Sequence, residues 1–380
     1  MAPKSKKAKD GSKLWYAHYK TPEGKWKWEA APGHSKKNAE ALQKRREREI
    51  ADGTYGLESI SFEAFATKWL RDYVSTNVKP QTFDDYAGVI RKHLNPFFGS
   101  TLLKKITPAS VQEDVTHKHE QGLSARTINK TLAVLKQMFK HAQVWGYLKE
   151  NPARFVERPR QKRKEMDYLR PDEIRRFLAA TPHEFYALFA TAVLTGARQG
   201  ELLGLKCGDI DLERGVIFVR RTFHPSYGLV EPKSEYSRRA IKMTQELVSI
   251  LEDHLQSIDG DVDSLVFSNN AGHPHSHQNL VTRVFHPTLE RAGLRKIRFH
   301  DLRHTYAALM ISLDANPKVL QRQMGHSSIR VTMDTYGHLI SDVCDNRAWA
   351  GLDGLIFRNN VIPLSEDNGE DPGDNLGISV

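Results

Sequence analysis

Six polar residues in the second half of the chain can do chemistry together. Arg198 lies in TGARQGELLGL, just before an amphipathic helix. Lys233 lies at a turn in EPKSEYSRRAI. His300 and Arg303 lie in RFHDLRHT, at i and i+3 on one helix face. His326 and Tyr336 close the series in MGHSSIRVTMDTYGH. The set is cationic and has no carboxylate among its core members. Such a set suits an anionic substrate whose charge grows in the transition state, and a phosphodiester undergoing attack is one. Arginine forks hold nonbridging phosphate oxygens bidentately. Preorganised donors of this kind are worth on the order of 3–4 kcal/mol each.

A tyrosine can be the nucleophile. Its pKa near 10 requires cationic neighbours and a proton acceptor. His300 can accept that proton, and Lys233 can protonate the departing alcohol oxygen. A covalent ester stores the energy of the broken bond, so strands can rejoin without ATP. No cofactor is then required. Taken singly, each residue also has a structural reading. Arg198 can pair with Glu201, His326 can cap a helix, Lys233 can be solvated, and Arg330 and His338 read as surface or packing residues. A metal site is a rival, because His300 and His304 stand at i and i+4. Asp301 stands where catalytic zinc helices carry Glu, and Arg303 in the same turn would repel a dication.

The elements that position these residues read as mainly helical and multidomain: a small β-sheet-plus-helix N-terminal domain, a helical domain, and a mixed, mostly α catalytic domain with a small sheet. A chain of 380 residues exceeds one ordinary core. Residues 1–56 form the first unit. KLWYAHYK and KWKWEA alternate as strands about a PEG turn, with room for a third strand. Trp15, Trp26 and Trp28 are candidates for its core, and Ser35 caps a basic helix. The Lys, Arg, Trp and Tyr content also suits a sheet laid against DNA.

Residues 57–153 read as helices. The pattern PQTFDDYAGVIRKHLNPFFG stops at Pro96 and Gly99, Thr107–Pro108 starts the next helix, and Ser124 caps another. In that last helix Ile128, Leu132, Leu135 and Phe139 make a core stripe, with Arg126, Lys130, Lys136 and Lys140 largely off it. Residues 154–164, RFVERPRQKRK, read as a linker with six basic residues and one acidic, Arg158, Arg160, Lys162, Arg163 and Lys164 among them. It can lie along a phosphate backbone. Residues 165–340 hold the candidate site, with strands within GVIFVRRTFHPSYGLVEPKSEYSRRAIKM and a further short strand expected in SLVFSNNAGHP. The segment 341–380 has eight acidic and two basic residues, and its end reads as a disordered acidic tail.

The rest of the chain, residues 1–340, therefore carries a net +16 against +10 for the whole. That excess fits nucleic acid. The N-terminus lacks an apolar signal region, no stretch has transmembrane length, and two cysteines, Cys207 and Cys344, make no disulfide framework. These features predict a protein of a reducing cytosol.

In this order the six residues resemble the tyrosine recombinases, in particular phage and mobile-element integrases. The family carries Arg, Lys, His-x-x-Arg, His or Trp, and Tyr, matched here by Arg198, Lys233, His300 with Arg303, His326 and Tyr336. Cys207, in KCGDIDL, takes a place often held by Trp, a packing change. The resemblance implies a tyrosine recombinase catalytic domain at 165–340, a core-binding domain at 57–153, and an arm-type DNA-binding domain at 1–56. It implies double-stranded DNA attachment sites as partners, a 3′-phosphotyrosyl link with a free 5′-hydroxyl, and four protomers exchanging strands through a Holliday junction. A clamp around the duplex would carry the 154–164 linker across it. Residues after Tyr336, with Trp349, Leu352, Leu355 and Ile356, are expected to pack on a neighbouring protomer. A host DNA-bending protein and an excisionase are further expected partners, in the bacterial cytoplasm. The alternatives are a DNA-binding regulator with a silent recombinase fold and a metal-dependent nuclease.

Overall fold

The computed structural model describes residues 2–8, 12–161, 166–232, 235–258 and 260–339. Lys233, Lys162, Arg163, Lys164, Cys344 and the acidic tail lie outside the described residues. The chain divides into two compact units, residues 1–163 and 164–380.

The first unit opens with an antiparallel sheet, β1 (Lys4–Lys7), β2 (Lys13–Lys20) and β3 (Trp26–Ala30), with β2 in the middle. The third strand is thus N-terminal to the hairpin. The Lys36–Ala51 helix packs on β2, and Ser35 Oγ accepts the Asn38 N–H at its start. Strand period two sends Ala17 and Tyr19 to the covered face, where they are buried with Ala39. The tryptophans do not all build this core: Trp26 and Trp28 are 49% and 40% exposed. They lie on the open face, opposite Lys20 and His18 of β2. Small Ala17 and Ala39 let helix and sheet approach closely, which leaves the indoles to the other side.

Four helical stretches follow. Ser61, Thr107 and Ser124 cap their helices through side-chain oxygens, as their sequence positions require. Pro96, expected to stop its helix, does not. The Pro80–Val89 helix passes through a wide π-turn, Ile90–Leu94, and continues as Asn95–Phe98. The wider turn carries the chain past the missing proline N–H. Phe62, Phe65, Trp69, Leu94, Phe98 and Phe139 fill the core. Lys136 is not a free surface cation: its Nζ donates to Val156 O at 2.8 Å. Asn129 donates to Pro159 O at 3.0 Å, so the chain is tied to the Ala125–Val144 helix as far as Pro159. The N-terminal helix is tied to the helical part by a largely buried pair, Lys104 Nζ to Glu49 Oε1 at 3.1 Å.

In the second unit the Pro171–Ala179 and His183–Thr195 helices precede the short Gln199–Leu203 helix. Strands β4 (Ile210–Asp211) and β5 (Val216–Val219) come next, then the hairpin β6 (Thr222–His224) and β7 (Gly228–Val230), then β8 (Arg239–Lys242). The main sheet has the order β4-β5-β8 and is antiparallel throughout, with Ile217 opposite Ile241 and Val219 opposite Arg239. SLVFSNNAGHP adds no strand, only isolated bridges from Leu265 to Lys206 and from Ser268 to Pro274. At the second bridge Pro274 has no N–H with which to extend the ladder. Phe177, Phe189, Leu247, Leu251 and Phe285 centre the main core, and Cys207 packs at its margin. The Asp301–Ser312, Pro317–Met324 and Ile329–Tyr336 helices close the unit around a smaller core of Tyr306, Ala307, Leu320, Met324 and Tyr336. Among the described residues no helix is long and apolar enough to cross a membrane.

Candidate active site

Three arginines converge on the end of one helix. The Pro317–Met324 helix stops at Gly325, whose φ of 62° suits glycine, and its last carbonyls lack helical partners. Arg239 Nε donates to Gln323 O at 2.7 Å, and Arg303 Nη2 donates to Met324 O. Arg198 Nη2 reaches Gly325 O at 3.3 Å. Cations at a helix C-terminus also meet the negative end of its dipole. Three consecutive carbonyls thus fix the depth of three guanidinium groups, immediately before His326.

Arg303 comes from the first turn of the Asp301–Ser312 helix and is buried. Its Nη1 donates to Gly196 O at 2.7 Å. Gly196 ends the His183–Thr195 helix with φ 62°, and a Cβ there would stand 2.7 Å from the Tyr306 ring. Burial, then the charges of Arg198 and Arg239, push the Arg303 pKa down to about 9, which leaves it a cation at neutral pH.

Arg198 caps the Gln199–Leu203 helix, with its side chain about one-third exposed. Its structural reading also holds, since Nη1 donates to Glu201 Oε1 at 2.7 Å. Glu201 is therefore a carboxylate inside the cationic set, contrary to the sequence reading. Arg239 binds the same carboxylate through Nη1 and Nη2, at 3.0 and 2.9 Å. Burial opposes ionisation of Glu201, but the Arg239 hydrogen bonds and the charges of Arg239 and Arg198 outweigh it and hold the carboxyl at about 2. Three arginines and one carboxylate leave two net positive charges. Arg239 was missed in the sequence. The signal was its strand position: period two puts it on the inward face with Ile241, where a charge needs a buried partner.

His300 stands at the N-cap of the Asp301–Ser312 helix. Burial, then His304, Arg303 and Arg298, bring its pKa down to about 4. His326 Nδ1 lies 2.9 Å from Thr332 Oγ1, and its backbone N–H donates to Gln321 O at 3.1 Å. Burial and then the three arginines bring it down to about 3. Both imidazoles are neutral at pH 7. The His326 ring lies nearly parallel to Tyr336, with centroids 6.3 Å apart.

Tyr336 ends the Ile329–Tyr336 helix and is 2% exposed. Burial raises its pKa to about 12, against the pull of Arg303 and Arg198. Its hydroxyl does not meet His300. The partner is His304, with Nδ1 to Oη at 2.8 Å. His304, four residues beyond His300, entered the sequence reading only as a possible zinc ligand. The same one-turn spacing that suggested a metal pair brings its ring to the tyrosine. Among the described residues no group of three His, Cys, Asp or Glu side chains is arranged to hold a metal ion. A cavity of about 300 Å³ opens beside the site, lined by Arg198, Glu201, Thr222, Ser237, Gly325 and His326. Arg330 and His338 are exposed.

Among the candidate DNA contacts of the first unit, Arg126, Lys130, Arg158 and Arg160 are exposed, with Lys130 2.9 Å from Asp85. On the open face of the N-terminal sheet, Lys4 and Lys6 place Nζ 5.5 and 5.0 Å from the Trp28 ring, and His18 stacks on Trp26.

Two family models match the chain: the phage integrase family over residues 167–341, and the phage integrase N-terminal SAM-like domain over residues 61–119. The ICEBs1 integrase of Bacillus subtilis is 28% identical over 300 residues, covering 74% of this chain and 80% of that protein. A XerC-like tyrosine recombinase of Caldanaerobacter subterraneus is 29% identical, covering 81% and 87%. Among solved structures, the Tn1549 transposon integrase in complex with circular intermediate DNA shares the fold at a TM-score of 0.67 and 24% identity, covering 77% of this chain and 99% of that one. The lambda integrase tetramer bound to a Holliday junction does so at 0.57 and 18%, covering 86% and 93%. The phage integrase model spans all six polar residues from Arg198 to Tyr336, and the SAM-like model falls within the helical part that precedes it. The chain accordingly belongs to the phage integrase family of tyrosine recombinases, and is a tyrosine-type site-specific recombinase.

Proposed function

We propose that this recombinase integrates or excises a mobile element by cutting and rejoining DNA through a 3′-phosphotyrosyl bond to Tyr336. Arg198, Arg303 and His326 hold the nonbridging oxygens of the scissile phosphate. Lys233 protonates the departing 5′-oxygen, and His300 belongs to the same catalytic set. The chemistry needs no ATP, because the phosphotyrosyl ester conserves the energy of the broken bond, and no metal, because the arginines supply the positive charge on the phosphate oxygens. The observation that carries this reading is the grip of Arg239, Arg303 and Arg198 on carbonyls 323, 324 and 325, one residue before His326. A cationic pocket preorganised in this way stabilises charge that grows on phosphate oxygens.

Residues 57–153 and 165–340 take the duplex at a core-type site, with Arg126, Lys130, Arg158, Arg160, Lys162, Arg163 and Lys164 contributing phosphate contacts. Residues 1–56 take an arm-type site, presenting Lys4, Lys6, Trp26 and Trp28. Four copies act on two duplexes through a Holliday junction, as a homotetramer, and the segment after Tyr336 packs on a neighbouring protomer. The tetramer on a junction formed by lambda integrase, which shares the fold, supports this assembly. A host DNA-bending protein and an excisionase set the direction, in the cytoplasm of a bacterial host.

Cleavage of nicked attachment-site DNA by Arg198→Ala tests the site. The expected result is a loss of about 10²-fold or more with DNA binding retained, comparable to removal of an oxyanion donor. A near-normal rate would show that Arg198 does not touch the phosphate.

A further inference from the structure

The phenol of Tyr336 needs somewhere to send its proton, and the geometry supplies one neighbour. His304 Nδ1 lies 2.8 Å from Tyr336 Oη, with ring centroids 5.6 Å apart. His300 lies one turn earlier and meets His304 instead, ring edge to face at 5.0 Å. His326 is turned to Thr332 Oγ1. Both ends of the His304–Tyr336 contact sit on well-packed helices: Tyr336 is buried, and Arg303 and Thr305 on either side of His304 are buried too. The contact is therefore held by the fold and not by a surface rotamer.

We infer that His304, not His300, is the base that takes the Tyr336 proton during strand cleavage and returns it during rejoining. This rests on the reading of Tyr336 as the nucleophile. In cleavage the Tyr336 Oη–phosphorus bond forms, the bond from phosphorus to the 5′-oxygen breaks, and the phenolic proton moves to His304 Nδ1. The 5′-oxygen takes its proton from a separate donor, the role given to Lys233. In rejoining the 5′-hydroxyl attacks phosphorus and gives its proton back to the Lys233 amine, the bond from phosphorus to the Tyr336 oxygen breaks, and the His304 imidazolium returns a proton to that oxygen. The required tautomer carries its hydrogen on Nε2, so that Nδ1 accepts.

Electrostatics leave His304 unprotonated but also weaken it as a base against a phenol held above its usual range, so the proton moves as the Tyr336 oxygen–phosphorus bond forms. The charged and titratable groups that act on His304 are Asp301, Arg303 and His300 from its own helix start, Arg298 just before it, and Tyr336 from the final helix. Burial, the largest effect, lowers the His304 pKa and outweighs the pull of Asp301 in the other direction. The imidazole is then neutral and ready to accept at pH 7. Tyr336, raised to about 12, forms almost no phenolate unaided.

The test uses the full chain and an attachment-site duplex with a 5′-bridging sulfur at the scissile phosphate. A thiolate leaves without a proton donor, so the rate of covalent adduct formation reports activation of the nucleophile alone. For the wild type, the rate should rise with pH through a pKa below 6.5 and be level above pH 7. For His304→Ala and His304→Gln, the rate at pH 7 should fall by about 10²-fold or more. It should then climb tenfold per pH unit from 7 to 9, as free phenolate becomes available. Gln keeps a hydrogen-bonding group but not the basicity. A Gln variant with the wild-type rate and profile would mean that His304 only holds the ring, and would overturn the inference. So would a wild-type profile in the Ala variant. Gel-shift binding of the same DNA identifies a variant that has merely lost its fold, and then the Gln variant decides. Tyr336→Phe is run in parallel: an adduct formed by it would defeat the nucleophile reading itself, whereas an adduct that needs Tyr336 but is indifferent to His304 defeats only the assignment of the base.

Discussion

Arg198 and Arg239 share one carboxylate. Glu201 Oε1 accepts from both, at 2.7 and 3.0 Å, and its Oε2 accepts a second bond from Arg239 at 2.9 Å. Glu201 and Arg239 are almost wholly buried, while Arg198 reaches the cavity. The carboxylate thus aims one arginine by anchoring it beside another. Without it, the two guanidinium groups would repel each other with no negative charge between them.

Replacing Glu201 with Gln should therefore cost stability as well as activity. Breaking a buried pair on one side typically costs about 3–5 kcal/mol. Urea unfolding at pH 7 should show that loss. The difference from wild type should shrink with acid: a carboxyl held at about 2 contributes stability that is fully present above its unfolded pKa near 4.5 and is lost as pH falls towards 2. A variant as stable as wild type at pH 7 would remove Glu201 from this role.

The buried histidines give a second pH dependence, at higher pH. His300 and His326 are held near 4 and 3 in the folded chain, against 6.5 unfolded. Between those values the unfolded chain binds more protons, so stability should fall as pH drops from 6.5 towards 4. In His326→Asn that slope should be shallower. Unfolding midpoints measured from pH 7 down to 4.5 check this; an unchanged slope would place His326 in solvent.

Gly196→Ala should disturb the site from a distance. The new methyl would enter a left-handed position against the Tyr306 ring and shift the carbonyl that holds Arg303. A backbone strain of this type costs about 1–3 kcal/mol. Thermal unfolding should show a lowered Tm, and DNA cleavage should fall further than DNA binding. Equal loss of both would mean that the carbonyl does not serve the arginine.

The exposed arginines of the first unit should act through salt. If Arg126, Arg158 and Arg160 each neutralise a phosphate, each Ala variant should weaken binding across sequences and reduce the slope of log affinity against log salt by about 1. Filter binding between 50 mM and 200 mM salt measures this. An unchanged slope would place that residue away from the backbone of the DNA.

Much of this was legible in the sequence because it is local. Ser35, Thr107 and Ser124 cap the helices they precede, and Ile128, Leu132, Leu135 and Phe139 face a core, since both depend only on spacing. What escaped depends on packing between distant elements. Pro96 is a local exception: a π-turn carries the chain past it, where the helix-stop rule expects an end. Trp26 and Trp28 share a face as period two requires, but alternation cannot say which face is covered. Arg239 and Glu201 are 38 residues apart and meet only in the fold. His304 meets Tyr336 across 32 residues, and spacing along one helix pointed to His300 instead.

The central claim is that Tyr336 attacks the scissile phosphate. It is tested most directly by trapping the intermediate on nicked attachment-site DNA in the presence of EDTA and resolving protein–DNA adducts on a denaturing gel. The account predicts an adduct with the wild type and none with Tyr336→Phe, which should still bind the DNA. An adduct formed by Tyr336→Phe, or loss of all wild-type cleavage in EDTA, would contradict it.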